Sequence, residues 1–289
     1  MNLSRRKLFK RIFYGTAAVG FASAVDAFAI EPNIILTEKI HLPINNLPQQ
    51  FVGKKIAHIS DLHYGSCCSK DFLIGVIEKI NSLNPDITIL TGDFTSRYDK
   101  GEYYSDLSSI LKHAKAKLGV FACMGNHDYG LSIDNKLNIR TITTEQIEKS
   151  GITVLRNDSR KITIDKAGIQ IIGLGETLRG DCYPQKAFTG LSDQLPRIVI
   201  AHNPDCFRRL KNKEFDALLC GHTHGGQVCI PFFGPIFVPN HDKRFKKGLY
   251  NIDGKFVYVN RGLATLPTRV PGPRFFCTPE ITLYSLLRK

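Results

Sequence analysis

No Cys-x-x-Cys pair occurs among the eight cysteines of this 289-residue chain. Their scatter excludes a zinc ribbon and offers no disulfide framework. Cys123 and Cys220 lie in apolar runs and are expected to be buried as small hydrophobes. The adjacent Cys67–Cys68 is the one candidate redox pair. No internal repeat is present, and no low-complexity tract lies beyond the N-terminal segment, so repeat architectures are excluded. Acid is scarce relative to base: 26 Asp and Glu stand against 39 Lys and Arg, a net charge of +13. That excess favours anionic partners, namely phosphorylated substrates, anionic lipid surfaces or nucleic acid. Nucleic acid is the weakest of the three, because no aromatic–basic interleaving and no added binding domain are present. The length suits one sizeable domain or two small ones.

Residues 1–29 read as a signal or anchor segment, with the remaining residues, 30–289, as the folded domain. Arg5, Arg6, Lys7, Lys10 and Arg11 precede the first acid, Asp26. An Ala/Gly-rich apolar run follows from residue 12 to 25, and Ala27-Phe28-Ala29 offers a small-x-small cleavage pattern. The order Ser4-Arg5-Arg6-x-Leu8-Phe9-Lys10 resembles a twin-arginine export signal. The competing expectation is an uncleaved basic membrane anchor, for which the run is short and Asp26 an interruption.

The body repeats one pattern: a short apolar, β-rich run, then a polar motif. Runs at 55–60, 87–91, 119–124, 197–201 and 217–220 are expected to be buried strands. Between them, Phe72, Leu73, Val76, Ile77, Ile80 and Leu83 keep helical spacing behind Ser69, a suitable N-cap. Residues 102–117 and 143–150 are further helices, the second with a Thr143-x-x-Gln146 capping box. Asn203-Pro204 opens a short helix through Leu210. Later runs at 162–165 and 169–174 flank a Lys-Ala-Gly turn, those at 249–252 and 256–259 flank Asp253-Gly254, and 281–287 is a final strand. Alternating strands and helices with added hairpins imply one mixed α/β domain, two packed sheets covered by helices.

Five motifs carry candidate chemistry: Asp61-x-His63, Gly92-Asp93, Gly125-Asn126-His127, His202, and Gly221-His222-Thr223-His224. Each is common by chance; together they hold five of the nine histidines and each follows a predicted strand. In open α/β sheets ligands bind beyond the carboxyl ends of strands, so the motifs can share one edge. A phosphoester repels nucleophiles by its charge, and two divalent ions roughly 3.5–4 Å apart clamp its oxygens and generate hydroxide at neutral pH. Asp93 is the natural bridging carboxylate. Imidazole with carboxylate and carbonyl oxygen suits Mn, Fe, Zn or Co better than Mg or Ca, and Mn is the favoured member. The glycines before Asp93, Asn126 and His222 are expected to allow tight turns. His41, His58, His113 and His241 are expected to be structural or on the surface. Arg97, Arg261 and Arg269 are candidate phosphate clamps, and the stretch 232–237, Phe-Phe-Gly-Pro-Ile-Phe, either covers the core or faces lipid.

This residue set resembles the calcineurin-like metallophosphoesterase superfamily over about residues 50–287. The resemblance implies a four-layer α-β-β-α sandwich of two mixed sheets flanked by helices. It implies one metal on Asp61, His63, Asp93 and His224, and a second on Asp93, Asn126, His202 and His222. His127 would be the general acid or the group that stabilises developing charge, with a metal-bound hydroxide attacking phosphorus in line. His224-Gly225-Gly226-Gln227-Val228, Pro231, Val259-Asn260-Arg261-Gly262, Pro267-x-Arg269 and Pro279-Glu280-Ile281 resemble an exported or membrane-associated bacterial branch. That branch includes twin-arginine phosphodiesterases and UDP-2,3-diacylglucosamine pyrophosphatases of lipid A synthesis. The resemblance implies a phosphodiester or pyrophosphate substrate, small or lipid-linked, a membrane surface as partner, and the export machinery if the signal is used. A nuclease, and a metal-binding interaction module without catalysis, are the competing readings.

Overall fold

The structure is a computed structural model that describes residues 5–96, 103–130, 139–266 and 272–289. Arg97, Pro267 and Arg269 therefore lie outside the described residues. Helix α1 (Arg5–Val25) continues through a wide turn at Asp26–Ile30 and a tight one at Glu31–Asn33. The strands follow as β1 (Leu36–Ile44), β2 (Lys55–Ile59), β3 (Ile87–Leu90), β4 (Val120–Ala122) and β5 (Thr153–Val154), then β6 (Asp158–Ile164), β7 (Ala167–Gly173), β8 (Arg197–Ile200) and β9 (Ala217–Cys220), and last β10 (Cys229–Ile230), β11 (Gly234–Pro235), β12 (Gly248–Ile252), β13 (Lys255–Val259) and β14 (Glu280–Arg288).

Two six-stranded mixed sheets form, in the orders β1-β14-β2-β3-β4-β5 and β12-β13-β9-β8-β7-β6, with β10-β11 a separate hairpin. Strands β2, β3, β4 and β5 run parallel, as do β7, β8, β9 and β13. Ile56, Ile87 and Phe121 of the first sheet meet Ile171, Ile198 and Leu219 of the second in a core between the sheets. Helices α2 (Lys70–Ser82), α3 (Tyr104–Leu111) and α4 (Ile139–Lys149) cover the outer face of the first sheet. The outer face of the second is closed more thinly, by α5 (Pro184–Ala187) and the tight helix Pro204–Leu210. The four layers are those expected.

Local chemistry explains the element ends. The Ser69 side chain accepts from Phe72 N, a cap worth about 1 kcal/mol, and Leu73, Val76, Ile77 and Ile80 turn one apolar stripe of α2 inward. Asn203 caps Pro204–Leu210 by accepting from Asp205 N. Several expectations need correction. Helix α4 begins at Ile139, so Thr143 is no cap; it is mid-helix, donating to Tyr104 Oη. Helix α3 ends at Leu111, well short of residue 117. The turn between β6 and β7 is Asp165-Lys166, because Ile164 pairs with Ala167. Strand β1 was not expected at all. It is an edge strand, where Pro43 withholds no ladder donor that a neighbour needs. Cys68 is buried, and burial pushes its thiol up to about 12, which disfavours the thiolate there.

Helix α1 is also longer than the apolar run alone suggests. The segment Arg5–Asn33 is one helical stretch of 29 residues, mostly exposed, long and apolar enough to cross a membrane by length and composition.

Candidate metal centre

The parallel strands deliver their following loops to one edge. Asp61 and His63 follow β2, Asp93 follows β3, Asn126 and His127 follow β4, His202 follows β8, and His222 and His224 follow β9. All eight side chains are buried, none more than 6% exposed. Asp61, His63, Asp93, His222 and His224 all have positive φ, between 41° and 71°. Such backbone is uncommon for residues other than glycine, and its clustering is typical of functional sites.

Two glycines show why these loops can touch. A Cβ on Gly125 would stand 2.3 Å from Asp93 N, and one on Gly221 would stand 1.8 Å from Ser60 Oγ. Of the three glycines expected to make turns, only Gly92 has positive φ, 84°. Gly125 and Gly221 serve close approach instead.

Histidine tautomers follow from the partners. His224 Nδ1 lies 3.0 Å from Ala264 O, His202 Nδ1 2.7 Å from Thr91 O, and His63 Nδ1 3.4 Å from Thr95 O. A carbonyl only accepts, so each Nδ1 carries a proton, and each Nε2 presents a lone pair when its ring is neutral. Those lone pairs converge. His63 Nε2 and His224 Nε2 are 3.3 Å apart. His224 Nε2 is 3.4 Å from Asp61 Oδ1, and His63 Nε2 is 3.5 Å from Asp93 Oδ2. His202 Nε2 is 3.2 Å from both Asp93 Oδ2 and His222 Nδ1. Asp93 divides its labour: Oδ1 accepts from His127 N at 2.8 Å, while Oδ2 lies between the two histidine groups.

Acceptors facing acceptors repel unless a cation or a proton lies between them. Asp61-His63-His224, His63-Asp93-His127 and Asp61-Asp93-His202 each gather ligand atoms within 4.8 Å of one another. Asn126 Oδ1, fully buried, meets no hydrogen-bond partner among the described residues. A neutral oxygen without a donor is costly unless a cation takes it. The donor set therefore fits divalent cations.

The electrostatics agree. Burial lowers His63 and His224. Burial and then the His202 charge lower His222 to about 3. Burial raises Asp61, and the Asp93 charge adds to it. Burial also opposes ionisation of Asp93, but His202, His127 and His63 outweigh it and hold that carboxyl well below its usual range. His202 is pulled down by burial yet raised to about 10 by Asp93 and Asp61. In the protein alone, one histidine proton does part of the work a cation would do.

Several supporting residues carried no sequence signal of this role. Asp128 accepts from Asp93 N, Phe94 N, Thr95 N and Gly125 N, buckling the Asp93 loop to the Asn126 turn. Its place directly after Asn126-His127 was the only hint. Arg179 donates to Asn126 O and Gly130 O. Arg274, fully buried, donates to Arg261 O, Gly262 O, Ala264 O and Cys277 O, and thereby steadies the carbonyl that orients His224. Arg261 is engaged by its own chain, pairing with Glu280 at 2.5 Å and Glu38 at 2.6 Å, so its charge is already answered.

A two-sheet sandwich with a buried His/Asp/Asn centre at its strand ends defines a metal-dependent hydrolase scaffold. Residues 54–226 match the family model of the calcineurin-like phosphoesterases, and the chain belongs to that family. It is 32% identical over 293 residues to the metallophosphoesterase YkuE of Bacillus subtilis, covering 99% of this chain and 98% of the relative. It is 33% identical over 238 residues to the phosphodiesterase YaeI of Escherichia coli, covering 81% and 82%. It is 30% identical over 309 residues to the UDP-2,3-diacylglucosamine pyrophosphatase LpxG of Chlamydia trachomatis, covering 89% and 91%. The protein is a metal-dependent phosphoric ester hydrolase.

Proposed function

We propose that the chain hydrolyses a phosphodiester or pyrophosphate bond of an amphiphilic substrate at a membrane surface, with UDP-2,3-diacylglucosamine as the leading candidate. The convergence of His63, His224 and His202 Nε2 on two carboxylates is the observation that carries the reading. Asp61, His63, Asp93 and His224 would hold one divalent ion, and Asp93, Asn126, His202 and His222 the second, with manganese favoured over iron, zinc or cobalt. When bound, the ions neutralise phosphate charge and acidify water. Asp93 Oδ2 serves both groups while Oδ1 keeps the His127 turn in place. His127, whose ring packs edge-on to His63 at 4.7 Å, protonates the leaving oxygen or stabilises charge on it. Arg97, Arg261 and Arg269 remain proposed phosphate contacts, Arg261 with its charge shared by Glu280 and Glu38.

Residues 1–29 are read as an anchor retained on the 30–289 domain. The Ala27 carbonyl accepts from Arg274 N at 2.8 Å, and Ala27 is buried. Cleavage after Ala29 would strand that donor. One observation favours the exported, broad-specificity phosphodiesterase as a second reading. Five basic residues precede any acid, and a spanning helix keeps its basic flank on the cytoplasmic side.

A substrate panel tests this on the manganese-loaded full chain: UDP-2,3-diacylglucosamine, simple phosphodiesters, phosphomonoesters and DNA. Preference for the diacylated substrate supports the leading reading. Equal turnover of soluble phosphodiesters favours the second, and preference for DNA overturns both. Fractionation of Arg5→Lys with Arg6→Lys tests export; unchanged distribution removes the twin-arginine route.

A further inference from the structure

The β10–β11 hairpin carries exposed apolar residues, two in its turn and two just past its second strand, that the catalytic centre does not use. Phe232 is fully exposed, Phe233 is 84% exposed, Ile236 67% and Phe237 63%. Phe232 also has φ of 68°, a conformation that a bulky residue adopts at a cost. Isolated exposed apolar residues are ordinary, whereas a contiguous cluster marks an interaction surface.

What covers these residues is indicated by their neighbours. Cys229 N donates to Phe275 O at 2.8 Å, joining the hairpin base to the segment that follows Arg274. That segment is tied to the end of the apolar N-terminal stretch. Phe276 N donates to Glu31 Oε2 at 2.8 Å, and Arg274 N donates to Ala27 O. Phe276, Phe28 and Ile30 are themselves exposed. The hairpin base and the exit of the membrane-capable helix are thus joined through residues 274–277, and their exposed apolar side chains make up one margin.

Basic residues border that margin. Lys243 Nζ lies 5.4 Å from the centroid of the Phe237 ring. Lys247 Nζ lies 3.3 Å from Phe276 O. Aromatic rings beneath a lysine collar match the acyl–headgroup boundary of an anionic bilayer. A protein partner would match the apolar area as well, but it would not explain the link to a helix long and apolar enough to cross a membrane.

We infer that the 230–237 hairpin inserts into the headgroup region of an anionic lipid bilayer, as a second membrane contact beside helix α1. His224 lies five residues before the hairpin base. The contact therefore brings the ligand-bearing loop after β9 near the membrane, where a lipid-linked phosphate emerges. The inference deepens the proposed function, yet its test does not depend on catalysis.

The chain has no tryptophan, so a single introduced one reports its own surroundings. Phe233→Trp replaces an exposed side chain in the hairpin turn, and Ile236→Trp one just past its second strand. Lys166→Trp is the control; Lys166 is exposed in the turn that opens β7, at the opposite edge from the candidate centre. Each full chain is reconstituted into phosphatidylglycerol–phosphatidylcholine vesicles with brominated acyl chains. Tryptophan at 233 and 236 is expected to emit at shorter wavelength and to be quenched at least about twofold more than at 166, as direct acyl-chain contact requires. Quenching at both hairpin positions no greater than at 166 would overturn the inference. If Phe233→Trp does not fold, Ile236→Trp decides alone. A chain that inserts normally yet hydrolyses no phosphoester refutes the catalytic reading and leaves this one standing.

Discussion

Gly92 and Gly125 lie back to back: a Cβ on Gly92 would stand 2.3 Å from Gly125 N. A Cβ on Gly125 would in turn meet Asp93 N and Asp93 Oδ1, each at 2.3 Å, the second held by its bond from His127 N. Gly125→Ala should therefore separate the Asp93 loop from the Asn126 turn and cost about 3 kcal/mol, the upper range for overpacking. Chemical denaturation measures the cost, and metal stoichiometry should fall with it. Wild-type values for both would show that the loops part without consequence.

Asp93 and His127 should separate metal binding from chemistry. Asp93→Ala removes the oxygen between the two histidine groups, so metal and activity should disappear together. His127→Ala should keep metal while kcat drops by about 10²–10⁴-fold, the usual contribution of an acid–base group. Full turnover of a substrate with a poor leaving group by His127→Ala would refute its role as acid.

Asp128 offers both carboxylate oxygens to backbone donors. Asp128→Asn replaces one oxygen with an amide that faces two N–H groups. The expected loss is about 2–4 kcal/mol from unsatisfied buried groups, with reduced metal affinity because Asp93 N is one of the donors. Thermal unfolding and metal titration measure the two effects, and an unperturbed melting temperature would contradict the buckle.

His58 sets a pH dependence apart from the metal ligands. It is fully buried between Tyr284 Oη and Thr91 Oγ1, and burial lowers it to about 3. The unfolded ring takes up a proton near the ordinary value of 6.5. Between these values the unfolded state binds more protons, so stability falls as pH falls, by about 1.4 kcal/mol per pH unit. Above 6.5 this group contributes no slope. With chelator present, wild type should lose stability between about pH 6.5 and 4.5 more steeply than His58→Gln. Parallel curves would remove His58 as the cause.

Much of this molecule was legible in its sequence because burial on both faces leaves an unbroken apolar run. Strands β2, β3, β8 and β9 announced themselves in that way, and each polar motif stood at a run's end. Strand β1 did not, since its edge position gives the mixed burial of a lead-in interrupted by Pro43. Thr143 misled for another reason: a capping sequence also suits a mid-helix residue when a neighbour such as Tyr104 takes the hydroxyl proton. Asp128, Arg179 and Arg274 were illegible because they act on backbone atoms of other loops. Asp128 reaches Asp93 N across 35 positions and Arg179 reaches Asn126 O across 53, distances over which sequence carries no pattern.

The left-handed backbone at Asp61, His63, Asp93, His222 and His224 limits how this centre can evolve. Asparagine, aspartate and histidine are the residues other than glycine that occupy that region most readily. They are also donors of oxygen and imidazole nitrogen. A drift toward cysteine would meet backbone resistance before any question of metal affinity arose. At these five positions a soft, thiolate-bound metal would be opposed by torsion angles as well as by ligand chemistry.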